Sequence, residues 1–314
     1  MIALRWISIA VLLALLAGCG SSAAGIPSTP DGTVQKVTSD LANDRPQIVF
    51  QALPTSYQND VREVIVAFAN KLDADLWNRT FAVLGKISRV AKEKKEFILA
   101  TIGEAPVPQL QGENLEKLNE NWDRVIAIFE TIVASEIKTV DGIKKLDPEK
   151  FLATTGAQLS KNIKDLATAV ADEETAEVFE KIGQTKVTVV KNEGETATLS
   201  IETPGQEPET IDMVRFEGRW LPSDLVANWD AGIEQAKQSI AQIDFNGPSR
   251  EMYLGVLTQV EQTLDQLLAA STQEQFNQAL AGLQPIFGGF LAPKFNEIEP
   301  VAPAIPNTSD RESD

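Results

Sequence analysis

"KVTVVKNEGETATLSIETPGQEPETIDMVRFEGRWL", residues 186–221, is the stretch on which the fold turns. Its apolar residues recur at every second position, whereas before and after it the interval is three or four. Lys186–Lys191, Thr196–Thr203 and Glu209–Phe216 read as strands, separated by Asn192-Glu193-Gly194-Glu195 and by a loop with Pro204, Gly205 and Pro208. Ala197, Leu199 and Ile201 point to one side; Thr196, Thr198, Ser200 and Glu202 point to the other. Glu217-Gly218 suits a tight hairpin turn into Arg219-Trp220-Leu221. The expectation is a three- to four-stranded antiparallel meander at about 186–222. So small a sheet needs helices against its apolar face.

Helical period brackets the meander. Thr55 and Gln58 fit a capping box, and Tyr57, Val61, Val64, Phe68 and Leu72 mark one face of the helix that follows. Trp77, Phe81, Leu84, Ile87 and Val90 continue at intervals of three and four. Leu115, Leu118, Trp122, Val125, Phe129, Ile132 and Ile137 draw one long stripe. Asp147-Pro148-Glu149 reads as N-cap, first-turn proline and early acid, opening a helix through Phe151, Leu159, Ile163, Leu166 and Val170. A shorter helix is expected from about Asp172 to Gly183. After the meander, helices are expected from Ser223 to about Ile243, after Asn246-Gly247-Pro248, and from a second capping box at Thr272 and Gln275. The fold class is therefore α+β, predominantly helical: a helical bundle with the meander packed on it.

The N-terminus has a different grammar. Ile7–Leu16 is a ten-residue apolar run behind Arg5, too short to span a bilayer core, which takes roughly 20 helical residues. It is followed by Leu16-Ala17-Gly18-Cys19, with the only cysteine of the 314-residue chain. This tetrapeptide resembles the lipobox of bacterial lipoproteins. The resemblance implies a signal peptide over 1–18, cleavage between Gly18 and Cys19, and acylation of Cys19, palmitate among the acyl chains. Two or more chains make anchoring stable where one gives marginal binding. Gly20, where an inner-membrane lipoprotein commonly has Asp, implies the outer membrane rather than the inner. Residues 19–46, small, polar and without helical period, are expected as a lipidated flexible tether with a reach of roughly 30 Å. Residues 47–284 are expected to form a helical domain with the meander inserted at about 186–222. Residues 285–314 are a Pro- and Gly-rich tail expected to be largely disordered.

Two further resemblances lie in the body. Val187–Leu225, ending in "IDMVRFEGRWLPSDL", resembles the closing strands of NTF2-like secreted lipoprotein domains; here helices follow the meander and no early hairpin precedes it. "ALPTSYQNDVREVIVAFANKLDADLW" is similar to uncharacterised secreted proteins of planctomycete type, which implies no activity.

Chemistry is sparse. The chain has no histidine, so Ser-His-Asp, Cys-His and imidazole metal sites are excluded, and no phosphate-cradling glycine loop occurs. A formal charge of −17, or −18 after loss of Arg5 with the signal peptide (27 minus 45), opposes nucleic-acid binding. No cofactor or metal is expected. Asp73 and Asp75 lack the further ligands of a calcium loop and suit a helix start. The cations Lys86–Lys95 read either as a solvated helix end or as a contact for anionic headgroups or an acidic partner. Trp220 and Trp229, on either side of Pro222, read either as core or as the lining of a ligand cleft. Pro285–Leu291 is apolar, suited to packing on the core or to touching membrane or a partner. Three functions follow in order: a non-enzymatic, lipid-anchored envelope protein with a membrane contact and an envelope-protein partner; a small-molecule-binding module with a pocket under residues 187–221; and a carboxylate-dependent hydrolase.

Overall fold

The computed structural model describes residues 25–104, 111–170, 181–244 and 248–283. Four strands, β1 (Lys186–Asn192), β2 (Thr196–Glu202), β3 (Glu209–Phe216) and β4 (Arg219–Pro222), pair antiparallel in chain order. Each lies within a residue of its expected bounds. The β3–β4 connection is a two-residue turn in which Glu217 and Gly218 both have positive φ, 47° and 76°. That backbone twist matches the twist of the flanking strands. A bulge at Val190 shifts the β1–β2 register, so that Val189 faces Leu199 and Lys191 faces Thr198.

The apolar side of the sheet carries Ala197, Leu199, Met213 and Trp220, all buried, with Val187 and Ile211 at its edge. What covers it is a helix over residues that the sequence suggested were tether: α1 (Pro30–Ala42) lies across β1, β2 and β4 and inserts Val34 into this cluster. The tether reading of 19–46 is therefore corrected for residues 30–42, and the folded body begins before residue 47. The local cause is ordinary capping. Thr29 accepts from Gly32 N, Pro30 occupies the first turn, where its missing N–H costs nothing, and Asp31 faces the positive helix end.

Two other clusters complete the core. The first joins α2 (Gln47–Ala52), α3 (Thr55–Lys71), β4 and α11 (Ser223–Ala241) through Phe50, Leu53, Tyr57, Val61, Leu221 and Trp229. Leu221 and Trp220 are neighbours on one strand and so face opposite sides; the sheet thus separates this cluster from the one under α1. The second joins α4 (Ala74–Glu93), α5 (Lys95–Glu104), α12 (Pro248–Ala269) and α13 (Gln273–Ala281) through Val83, Val90, Leu264, Leu267 and Phe276. Between them α7 (Trp122–Ala134) packs on α4 and on α10 (Ala157–Val170), and α8 (Val140–Lys144) packs on α3.

Several boundaries differ from expectation for identifiable reasons. The stripe from Leu115 to Ile137 is not one helix. It breaks at Asn121 between α6 (Glu113–Glu120) and α7, because the buried Asn121 amide donates to Lys117 O and its carbonyl accepts from Arg124. The helix from Pro148 starts as expected, with Asp147 accepting from Glu149 N and Lys150 N, but α9 (Pro148–Phe151) passes through a π-helical turn at Leu152–Gly156 into α10. The Thr55–Gln58 capping box does not form: Pro54 is the N-cap, and the buried Gln58 amide donates instead to Phe50 O and Leu53 O. The second box does form in part, since Thr272 accepts from Gln275 N while Gln275 accepts from Ser271 N, one residue early. Most of the helix expected from Asp172, and the tail 285–314, lie outside the described residues.

Candidate functional site

Cys19 and Gly18, the expected lipidation and cleavage positions, lie outside the described residues. The structure does place the chain that leads back to them. Thr33 Oγ1 donates to Pro27 O at 3.0 Å, and Trp220 Nε1 donates to Ser28 O at 2.9 Å. The segment before α1 is thus fastened to β4, next to the β3–β4 turn.

Trp220 and Trp229 are both buried, but the structure does not bring them to one cleft. Trp220 lies under α1 with Leu199 and Met213, so the apolar side of the meander is filled by side chains. Trp229 lies on the other side, in the cluster of α2, α3 and α11. Its ring stacks on Tyr57 at 4.0 Å between centroids and 5° between planes, and Tyr57 stacks in turn on Phe216 at 5.2 Å. Its Nε1 donates to Asp60 Oδ2 at 2.8 Å. Burial first, then the carboxylates of Asp230, Asp60 and Glu217, push the Tyr57 phenol above its ordinary range, because each disfavours a phenolate there. Glu217 itself accepts from Ser56 N at the start of α3, which ties the hairpin turn to that helix.

Asp73 and Asp75 form a helix start. Asp73 caps α4 by accepting from Leu76 N and also receives Arg250 Nε at 2.8 Å; Asp75 receives the other branch of the same guanidinium at 3.2 Å. Further along the seam, Arg79 grips Glu261 with two nitrogens, at 2.9 and 2.8 Å, and also donates to Thr258. The arginines hold the Asp73 and Glu261 carboxyls below their ordinary range. A carboxyl with that shift is a poor general acid, which needs the opposite displacement.

The cations of Lys86–Lys95 are engaged within the molecule. Lys86 pairs with Asp265, Arg89 with Glu93 and Lys92 with Glu130, while Lys94 donates to Ala270 O and Lys95 to Asn119 O. Sequence reasoning missed the partner residues, since Asp265 and Ala270 lie more than 170 positions away. Among the described residues, no group of three or more acidic, Cys or His side chains is arranged to hold a metal, and no helix is long and apolar enough to cross a membrane. No family model matches the chain, and neither a curated protein nor a solved structure matches it.

Proposed function

We propose that this is a lipid-anchored protein of the bacterial cell envelope whose helical body is a non-enzymatic interaction or structural module. The observation that carries the proposal is Leu16-Ala17-Gly18-Cys19, a lipobox-like tetrapeptide directly behind an apolar run and holding the chain's only thiol. Ten residues, 20–29, separate Cys19 from the first residue of α1. A body that begins so soon after the anchor stays close to its membrane. Gly20 favours the outer membrane over the inner. The paired acids of the α4–α12 seam and the filled apolar side of the meander favour this reading over a hydrolase or a small-molecule pocket beneath residues 187–221.

An interaction module has a partner, so the test is its recovery. Reversible cross-linking in cells, followed by detergent purification through a tag placed after residue 314, is expected to yield a stoichiometric envelope protein that is lost from the Cys19→Ala variant. Repeated recovery of the protein alone contradicts the proposal.

A further inference from the structure

The fastening of residues 27–33 to the sheet has a consequence for how the body stands at a lipid surface. The turn end of the meander holds the β1–β2 loop, the β3–β4 turn and, beside Trp220, the point where the chain leaves for Cys19. From Cys19 to Pro27 there are 27 − 19 = 8 Cα–Cα steps, which span at most about 26–29 Å when fully extended. The body from residue 25 to 283 has 259 residues. At that length a folded chain has a radius of gyration of about 18 Å, hence a diameter of about 45 Å and a half-circumference of about 70 Å. A link of that length cannot pass round the body to its far side. The exit therefore selects the face that meets the membrane.

The charges at that face agree. Lys191, Arg215 and Arg219 stand with Glu193, Glu195 and Glu217, three of each sign, on a chain whose total is −17. Lys191 pairs with Glu193 at 2.9 Å and Arg215 with Glu195 at 3.5 Å. An anionic headgroup layer repels the acidic remainder of the molecule, whereas these two turns carry no net charge of their own.

We infer that the turn end of the sheet, residues 191–195 and 215–219, is the surface this protein lays against the lipid headgroups. The inference rests on acylation of Cys19, so the experiment separates the two. Because the lipid consumes the native thiol, an introduced cysteine is the only one open to a fluorophore. Glu193→Cys places it at the turn end, and Gln206→Cys places it in the β2–β3 loop at the opposite end; both positions are exposed. Each full-length acylated variant is reconstituted into zwitterionic vesicles containing a headgroup spin-labelled lipid. Flotation of the vesicles reports anchoring; fluorescence reports orientation. The expected result is flotation of both variants, loss of emission from position 193 and retained emission from position 206. Flotation with equal quenching, with quenching at 206 alone, or with quenching at neither position overturns the orientation while leaving the anchor intact. Failure to float, with an unmodified Cys19 by mass, overturns the anchor and the orientation with it.

Discussion

Each of the four described tryptophans donates its indole N–H to an element distant in sequence. Trp77 reaches Ile137 O, Trp122 reaches Ala91 O, Trp220 reaches Ser28 O and Trp229 reaches Asp60. A tryptophan spends its large apolar surface on packing only where its one donor is also satisfied, so these residues act as staples rather than as ligand contacts. Trp229 stacks on Tyr57, whose raised phenol gives a pH signature. For a group raised in the folded state, the stability it contributes is complete below its unfolded value, about pH 10, and is lost as pH rises through its folded value. Of the two tyrosines in the chain, Tyr57 is therefore expected to ionise later than an ordinary phenol. Tyr57→Phe should flatten the alkaline decline in stability. Tyrosinate absorbance and denaturant melts across that range check both, and an alkaline limb unchanged by the substitution would contradict the assignment.

Among elements, α1 separates the account most clearly from what the sequence suggested. If residues 30–42 were tether, a chain starting at Pro46 would fold unchanged. With α1 covering Leu199, Met213 and Trp220, each side chain re-exposed is expected to cost about 1.5–3 kcal/mol. Truncation should thus bring a large fall in denaturation midpoint and new binding of apolar dyes. Leu199→Ala, fully buried in the same cluster, is expected to cost about 2–5 kcal/mol. The strands were legible because alternation over seven or eight residues has no competing reading, and Asp147-Pro148 was legible as a helix start. Thr29-Pro30-Asp31 has the same form, and Val34, Val37 and Leu41 behind it are spaced by three and four. What hid α1 was the small, polar stretch before it and the Thr- and Ser-rich helix itself, whose stability comes from the sheet it covers and not from propensity. The break at Asn121 was hidden for another reason: the stripe of apolar residues runs on while a single amide side chain diverts the backbone.

The seam between α4 and α12 shows an ionic contact of the same kind at the scale of helix pairs. Asp73 and Glu261 have lowered carboxyls, so the stability they contribute is present above the ordinary carboxyl range, about pH 4, and is lost as pH falls through their folded values. Both groups are partly open to water, so the contribution should also weaken in salt. Glu261→Gln should lower stability near neutral pH and reduce its dependence on acid. Hydrogen exchange along α12 checks where the loss appears: it should concentrate between Arg250 and Glu261, while the last two turns, buried around Leu264 and Leu267, stay protected.

For the whole molecule, three core clusters and an N-terminal segment fastened at Trp220 describe the body of a strongly acidic chain. What the sequence left dark about that body was its long-range pairing: Lys86 with Asp265 and Trp220 with Ser28 are set by tertiary approach, which no local pattern encodes. The proposed location, by contrast, rests on four adjacent residues. Acylation at that tetrapeptide carries the proposed function, and the intact mass of the mature chain purified from membranes tests it directly. A chain that begins at Cys19 and carries a diacylglyceryl adduct, with Cys19→Ala left at the precursor mass or released from the membrane, is the predicted result. A chain with a free Cys19 thiol, or one that stays membrane-bound at unchanged mass when Cys19 is replaced, would contradict it.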